Sequence, residues 1–487
     1  MKSNIGSTSI TPRNKITTDI PASITTPDTV KTRLGTLRFF DGFPDEATVQ
    51  TVFDNLDFQR AVQAYLLGLP PVVWGAWRRG LSGWGPANYT MAIWEDLIHP
   101  CTVSPGFHPG VVHCYLWIDV HDGPLVLEVP SGMYGLVNDS WGRWVVDIGQ
   151  TGPDKGQGGK YLILPPGYDG EVPDGYFTVK PRSYGMILVS RGFLDEHGDP
   201  HPAAEMIKAK TRVYPLAQAG APQSMRFVNV TFEPWVVVLP GGYQFWDILN
   251  EVVQIEPPES SDPVTLGMFA AVGIQHGKRF DPDERMHSIL SEAVAVGDAT
   301  ARALSYRFRV REAYYYPDSA WRTGWLGGVE EQENGAALLD VAAQTFFLGG
   351  GLSPALGLRM VGAGSQYAVA FVDATGAPFD GGKTYRFHVP PNAPVNNFWS
   401  IIAYDTQARS MLQTDQEWPL VTSQTQDLPT NDDGSVDVVF GPEPPPDGQN
   451  WIQTLPGKGW FAMVRLYGPL EAWFDKTWRL PEIEPVD

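Results

Sequence analysis

From residue 101 the chain is written in short alternating runs, each closed by glycine or proline: "GPLVLEVP", "RWVVDIGQ", "GKYLILPP", "DGYFTVK" and "YGMILVSR". Successive side chains of an extended strand point to opposite faces, so such alternation builds sheets with one dry face. Strands this short, separated by tight turns, belong to antiparallel sandwiches or barrels. After residue 346 a second set follows, with "SQYAVAFVDATG", "KTYRFHVPP", "NFWSIIAYD", "GSVDVVFGP" and "WFAMVRLYGP". The 51 Gly and 43 Pro supply the turns, and 487 residues exceed the ~100–200 of one ordinary domain. The predicted fold is mainly β with additional helices, in two antiparallel sandwich domains.

Two stretches depart from this texture. In "PDEATVQTVFDNLDFQRAVQAYLLGLPPVVWGAWRRGL", residues Val49, Val52, Phe53, Leu56, Ala61, Tyr65 and Leu66 recur at helical spacing, and Pro70 is expected to interrupt the helix. In "DERMHSILSEAVAVGDATARALSYRFRVREAYY" the one breaker is Gly297, which predicts a helix bridging two parts of the molecule. The expected organisation is a flexible Ser/Thr/Pro-rich arm over 1–30, a helical entry over 31–100, a first β domain over 101–255, a mixed helical connection over 256–345 and a second β domain over 346–487.

A formal net charge of −20 argues against nucleic acid and anionic membranes, which are recognised through clustered Lys and Arg. The amino terminus lacks a continuous apolar region, and no run of about 20 apolar residues could span a bilayer. The expectation is a soluble, cytoplasmic protein. Cys101 and Cys114 are either buried thiols or one disulfide.

Several common chemistries are missing from the text. "GPDKGQGGKY" has Asp154 where a phosphate loop needs glycine and Tyr161 where it needs Ser or Thr, so it reads as a turn-rich loop. Around Ser353 a proline stands where a nucleophile elbow leads into its helix. No zinc-protease, Cys-x-x-Cys or EF-hand pattern occurs, and no nucleotide or flavin site is visible.

What remains is "HPGVVHCYLWIDVHDGP", which begins at His108. Alternation puts His113, Tyr115, Trp117, Asp119 and His121 on one face and Val112, Cys114, Leu116, Ile118 and Val120 on the core face. The first face is either a reactive cleft or a polar surface. His113 and His121 are eight residues apart, about 26 Å at about 3.3 Å per residue, too far to share an ion. His113 with His108, or with His99, is easier, which leaves His108 and His113 as candidate ligands of a divalent metal or as acid and base. In "DSWGRWVVDIG", Trp141, Arg143 and Asp147 share a face, and an Arg143–Asp147 pair beside Trp141 would make a charged, aromatic wall for an oxygen-rich ligand. The 17 Trp and 18 Tyr also raise the possibility of sugar binding, which needs an exposed aromatic row.

The carboxyl-terminal text "GSQYAVAFVDATGAPFDGGKTYRFHVPPNAPVNNFWSIIAYDTQARSMLQTDQ" and "DDGSVDVVFGPEPPPDGQNWIQTLPGKGWFAMVRLYGPLEAWFDKTW" closely resembles the second half of a bacterial two-domain family of unknown function, DUF1254 followed by DUF1214. Upstream, "RFFDGFPDEATVQTVFDNLDFQRAVQAYL", "GPDKGQGGKYLILPPGYDGEVPDGYF" and "RVYPLAQAG" are similar to its first half. The resemblance runs from about residue 33 onward and implies two jelly-roll-like domains without lending an activity. Asp119, Arg143, Asp147, Arg191, Trp399, Tyr404, Asp405, Arg409, Asn450, Trp451, Arg465 and Tyr467 match its pattern, whereas "GFHPGVVHCY" replaces a family motif of Asn, Asp, Thr and an aromatic residue.

The sequence thus leads to an expected enzyme acting on a small aromatic or oxygenated compound in a pocket of the first β domain, by hydrolysis, elimination or isomerisation, with a divalent metal as an option and no organic cofactor. His113, His108, Arg143 and Asp147 are the expected catalytic residues; Tyr115, Trp117, Trp141 and Asp119 are the expected substrate contacts. A non-catalytic carbohydrate- or small-molecule-binding protein and a structural homo-oligomer are the alternatives.

Overall fold

The structure is a computed structural model that describes residue 18 and residues 20–326, 335–446 and 448–486. The expected amino-terminal arm therefore falls mostly outside the described residues. Two compact units divide at Gln59, within a long helix. In the first, Thr29–Thr32, Gly35–Phe40 and Phe43–Pro44 form a small antiparallel sheet, and Asp45 accepts the Thr48 amide at 2.7 Å to start the helix Glu46–Ser82.

The expected break at Pro70 does not occur: the helix runs through Pro70 and Pro71 to Ser82. Two missing N–H groups and the ring clash oppose this. The offsetting force is burial on both sides of the pair, where Leu69, Val72, Trp74 and Trp77 are all at most 4% exposed.

The second unit, Arg60–Asp487, contains two sandwiches. The first has a six-stranded sheet in the order Arg226–Asn229, Thr90–Ile93, Val112–Asp119, Gly185–Gly192, Met133–Asp139, Trp144–Gly149, and a four-stranded sheet in the order Phe177–Val179, Gly159–Ile163, Leu125–Val129, Arg212–Pro215. Its core holds Val112, Leu116, Ile118, Leu127, Val137, Tyr161, Leu188 and Val213. The second has a five-stranded sheet in the order Arg322–Thr323, Ser365–Ala370, Trp460–Pro469, Val395–Asp405, Leu420–Thr422, and a four-stranded sheet in the order Asn450–Gln453, Val436–Gly441, Thr384–Val389, Glu484–Val486. Phe387, Trp399, Ile401, Val438, Phe440 and Val464 fill its core. Pairing within the sandwiches is antiparallel except at one edge of three sheets.

The second predicted helix spans Glu284–Tyr306. Gly297 does not break it; a Cβ there would lie 2.3 Å from the Tyr65 ring, so the glycine lets two helices approach. Cys101 and Cys114 are free thiols, and burial pushes Cys114, hydrogen-bonded to Ser190 at 3.0 Å, up to about 12. The loop around Asp154 is closed on itself. The carboxylate accepts from Gly149 N, Gly158 N and the Tyr161 hydroxyl, which occupies these amides with the protein's own anion.

Candidate functional site

Both faces of the strand Val112–Asp119 are dry. Val112, Cys114, Leu116 and Ile118 enter the sandwich core, while His113 and Tyr115, at 1% and 2% exposure, lie on the opposite face beneath the long helix and the second sandwich. His108, in the preceding loop, brings its ring to 5.2 Å from that of His113.

Hydrogen bonding fixes the tautomers. His113 Nε2 faces the His108 carbonyl at 3.0 Å and must carry the proton, so Nδ1 accepts from the Tyr115 hydroxyl at 2.8 Å. His108 Nδ1 accepts from Gly110 N at 3.2 Å, so its Nε2 donates to the Tyr467 hydroxyl oxygen at 2.8 Å. Each imidazole is thus joined to a phenol. Burial, reinforced by the Arg465 and Arg191 charges, holds both imidazoles well below their ordinary range, and burial raises Tyr115 and Tyr467. All four groups are neutral at neutral pH.

His108, His113 and Tyr115 border a partly enclosed cavity between the sandwiches. Its charged and polar wall is His108, His113, Tyr115, Arg191 and Tyr367; Trp74, Trp77, Leu136, Val189, Trp325 and Leu356 make the apolar wall. Gly349, Gly350 and Gly351 form part of the rim, the last two at φ +71° and +88°, a conformation that favours glycine. The space between these walls, counted with its opening to solvent, is about 570 Å³, so an occupant must be small or the walls must give.

Two guanidinium groups dominate the electrostatics. Arg191 sits on a central strand of the first sandwich, directly between His113 and Tyr134 on the neighbouring strands. Arg465 sits on a central strand of the second, between Tyr367 and Ser400. Arg465 donates Nη2 to Gly106 O at 2.7 Å and lies over the Tyr404 ring. For both, Nε and Nη1 are buried without a hydrogen-bond partner, and neither forms an ion pair among the described residues.

The other expected site residues are dispersed. Arg143 pairs with Asp139 at 2.6 Å, not with Asp147. The strand starts only at Trp144, after a tight turn and next to a bulge opposite Val137 and Asn138, which returns Arg143 to Asp139. Asp147 accepts from Trp144 Nε1 and Ser353 Oγ, both at 2.9 Å. Trp141 donates to Ser260 at 2.7 Å and lines a separate cavity with Glu256 and Leu266. Trp117 and Asp119 line a third, with Arg78 and Thr90. His121 lies beyond the strand, beside Asp122 in solvent. Only Tyr115 of the four expected substrate contacts reaches the histidine cavity, which both sandwiches build rather than the first alone.

The metal expectation for His108 and His113 fails on chemistry: all four ring nitrogens are engaged, two cations lie close, and no cluster of three or more metal-ligating side chains occurs among the described residues. Trp74, Trp77, Trp325 and Tyr367 were not singled out from the sequence; the three-residue spacing of Trp74 and Trp77, which places them on one helix face, was the available signal. Arg191, Arg465 and Tyr467 entered only through the family resemblance.

The architecture defines a class of tandem β-sandwich protein whose cavity lies between the sandwiches. Residues 90–215 match the model of DUF1254 and residues 364–471 that of DUF1214, both families of unknown function, so the chain carries these two domains in that order. No curated protein sequence matches it significantly. Among solved structures, the VPA0106 protein from Vibrio parahaemolyticus superposes with a TM-score of 0.56 at 19% identity, over 88% of this chain and 100% of that one, which shows a shared fold. An uncharacterised protein from Burkholderia cenocepacia gives 0.40 at 12% identity, over 90% and 96%.

Proposed function

We propose that the chain is an enzyme that moves protons on a small oxygenated organic compound held in the cavity between the sandwiches. The observation that carries this reading is the Tyr115–His113 pair at the cavity wall: a phenol hydrogen-bonded to an imidazole whose other nitrogen is fixed by a carbonyl. A base oriented in this way is the arrangement general acid–base chemistry requires. The Tyr115 oxygen takes a proton from the substrate as its own proton passes to His113 Nδ1. Reversal returns the proton to the product, so elimination and isomerisation need no further reactant, whereas hydrolysis consumes one water. Arg191, in the cavity wall, supplies the positive charge for an oxyanion.

The carbohydrate alternative draws less support, because Trp144, 37% exposed, is the one tryptophan among the exposed large apolar side chains of the described residues. A panel of small aromatic and aliphatic carbonyl, ester and hydroxy compounds, followed by NMR in heavy water, tests the enzyme reading. Wild type should convert or deuterate at least one compound, and Tyr115→Phe should slow that reaction by about 100-fold or more while keeping the fold. Equal rates in the two proteins would remove Tyr115 and His113 from the mechanism.

A further inference from the structure

The ligand's charge can be read from what Arg191 and Arg465 lack. A buried guanidinium is normally matched by a carboxylate, because desolvation is costly without one. Here two are buried on facing sheets, at 9% and 0% exposure, and each has two N–H-bearing nitrogens without a hydrogen-bond partner. Their surroundings are phenols and neutral imidazoles: Tyr134 and His113 beside Arg191, Tyr367 and Tyr404 beside Arg465. Asp147, whose carboxyl feels the Arg191 charge, is turned to Trp144 and Ser353. Two like charges are therefore left without a counter-charge, Arg191 in the cavity wall and Arg465 behind it, bonded to the lining residue Gly106.

We propose that this cavity binds a small organic carboxylate, its anionic end against Arg191 with the Arg465 charge behind it, and its apolar body against Trp74, Trp77 and Trp325. The proposal rests on the reading of the cavity as a substrate site and names the substrate class. An inorganic anion would satisfy the charge and leave the tryptophan and leucine walls unused. A carboxylate also explains how His113 could accept a proton next to Arg191, since the ligand's negative charge offsets the guanidinium during the step.

Calorimetric titration of the full-length protein with benzoate, acetate, benzamide, inorganic phosphate and chloride tests this. Benzoate should saturate and bind at least about tenfold more tightly than its neutral isostere benzamide. Arg191→Met should lose that advantage, Arg191→Lys should keep part of it, and Arg279→Met, at an exposed arginine, should behave as wild type. Equal affinity for benzoate and benzamide, no saturable carboxylate binding by folded wild type, or saturation by phosphate or chloride alone would overturn the proposal. If Arg191→Met does not fold, the benzoate-to-benzamide ratio of wild type still decides. Carboxylate binding without turnover of any compound would sink only the enzyme reading, and turnover of neutral compounds without carboxylate binding only this one.

Discussion

A guanidinium's role depends on what faces it, as Arg143 and Arg191 show. Arg143 has a carboxylate: Asp139, 2% exposed, also accepts the amides of Trp141 and Arg143 at 2.9 and 3.0 Å, so this carboxylate organises the turn. Asp139→Ala should destabilise the protein by about 3 kcal/mol, because it strands a largely buried cation and two amides. Urea denaturation checks this; a change below about 0.5 kcal/mol would mean that water replaces the carboxylate at little cost. Titration of the buried imidazoles gives a second expectation. His108 and His113 are held below their ordinary 6.5 by burial and by Arg191 and Arg465, so below that pH the unfolded chain binds protons that the native state refuses. Stability contributed by these rings is present above pH 6.5 and is lost as the pH falls below it. Buried Asp139, Asp147 and Glu256 are shifted upward and act in the opposite sense at lower pH. Urea curves at about pH 7.5 and about pH 5.5 should show a loss that is smaller in His108→Gln/His113→Gln, with Tyr115 and Tyr467 left in place. An equal loss in both proteins would place the acid sensitivity elsewhere.

At the scale of elements, the prolines in the long helix invite a direct measurement. Pro70→Ala restores an amide donor toward Leu66 and keeps the Cβ, so it should stabilise the protein by about 1–3 kcal/mol, read as a higher urea midpoint. Destabilisation would show that the ring's packing outweighs the lost bond. The same helix shows where local reading runs out. Periodicity before Pro70 is legible, but the burial of Leu69, Val72, Trp74 and Trp77 that carries the helix past the prolines is a tertiary property. The Val112–Asp119 strand was legible for a like reason: its core face alternates with period two. That its second face is also covered could not be read, because His, Tyr and Trp suit both a wet surface and a dry polar pocket. Alternation misplaced Arg143 for a different reason, since strict two-residue counting cannot anticipate a turn and a bulge immediately before Trp144.

For the large unit as a whole, the outer faces of the two bigger sheets are turned into interior by each other and by the loop between His99 and Val112. Tyr404 donates to Phe107 O at 2.6 Å, Arg465 to Gly106 O at 2.7 Å, His108 meets Tyr467, and Asn138 exchanges two hydrogen bonds with the backbone of Leu352. Val111 and Tyr134 of the first sandwich share an apolar cluster with Phe398 and Tyr467 of the second. Contacts so buried should couple the sandwiches energetically, unlike the looser, more polar interfaces that commonly separate domains. Residues Arg60–Asp487 should therefore melt in one calorimetric transition, with the van't Hoff enthalpy close to the calorimetric one. Tyr404→Phe, which removes one bond at the junction, should lower that single midpoint by the equivalent of about 1 kcal/mol without splitting it. Two resolved transitions in wild type would mean that each sandwich is stable alone. The cavity would then be a hinge gap that ligand closes, and carboxylate should merge the two transitions into one.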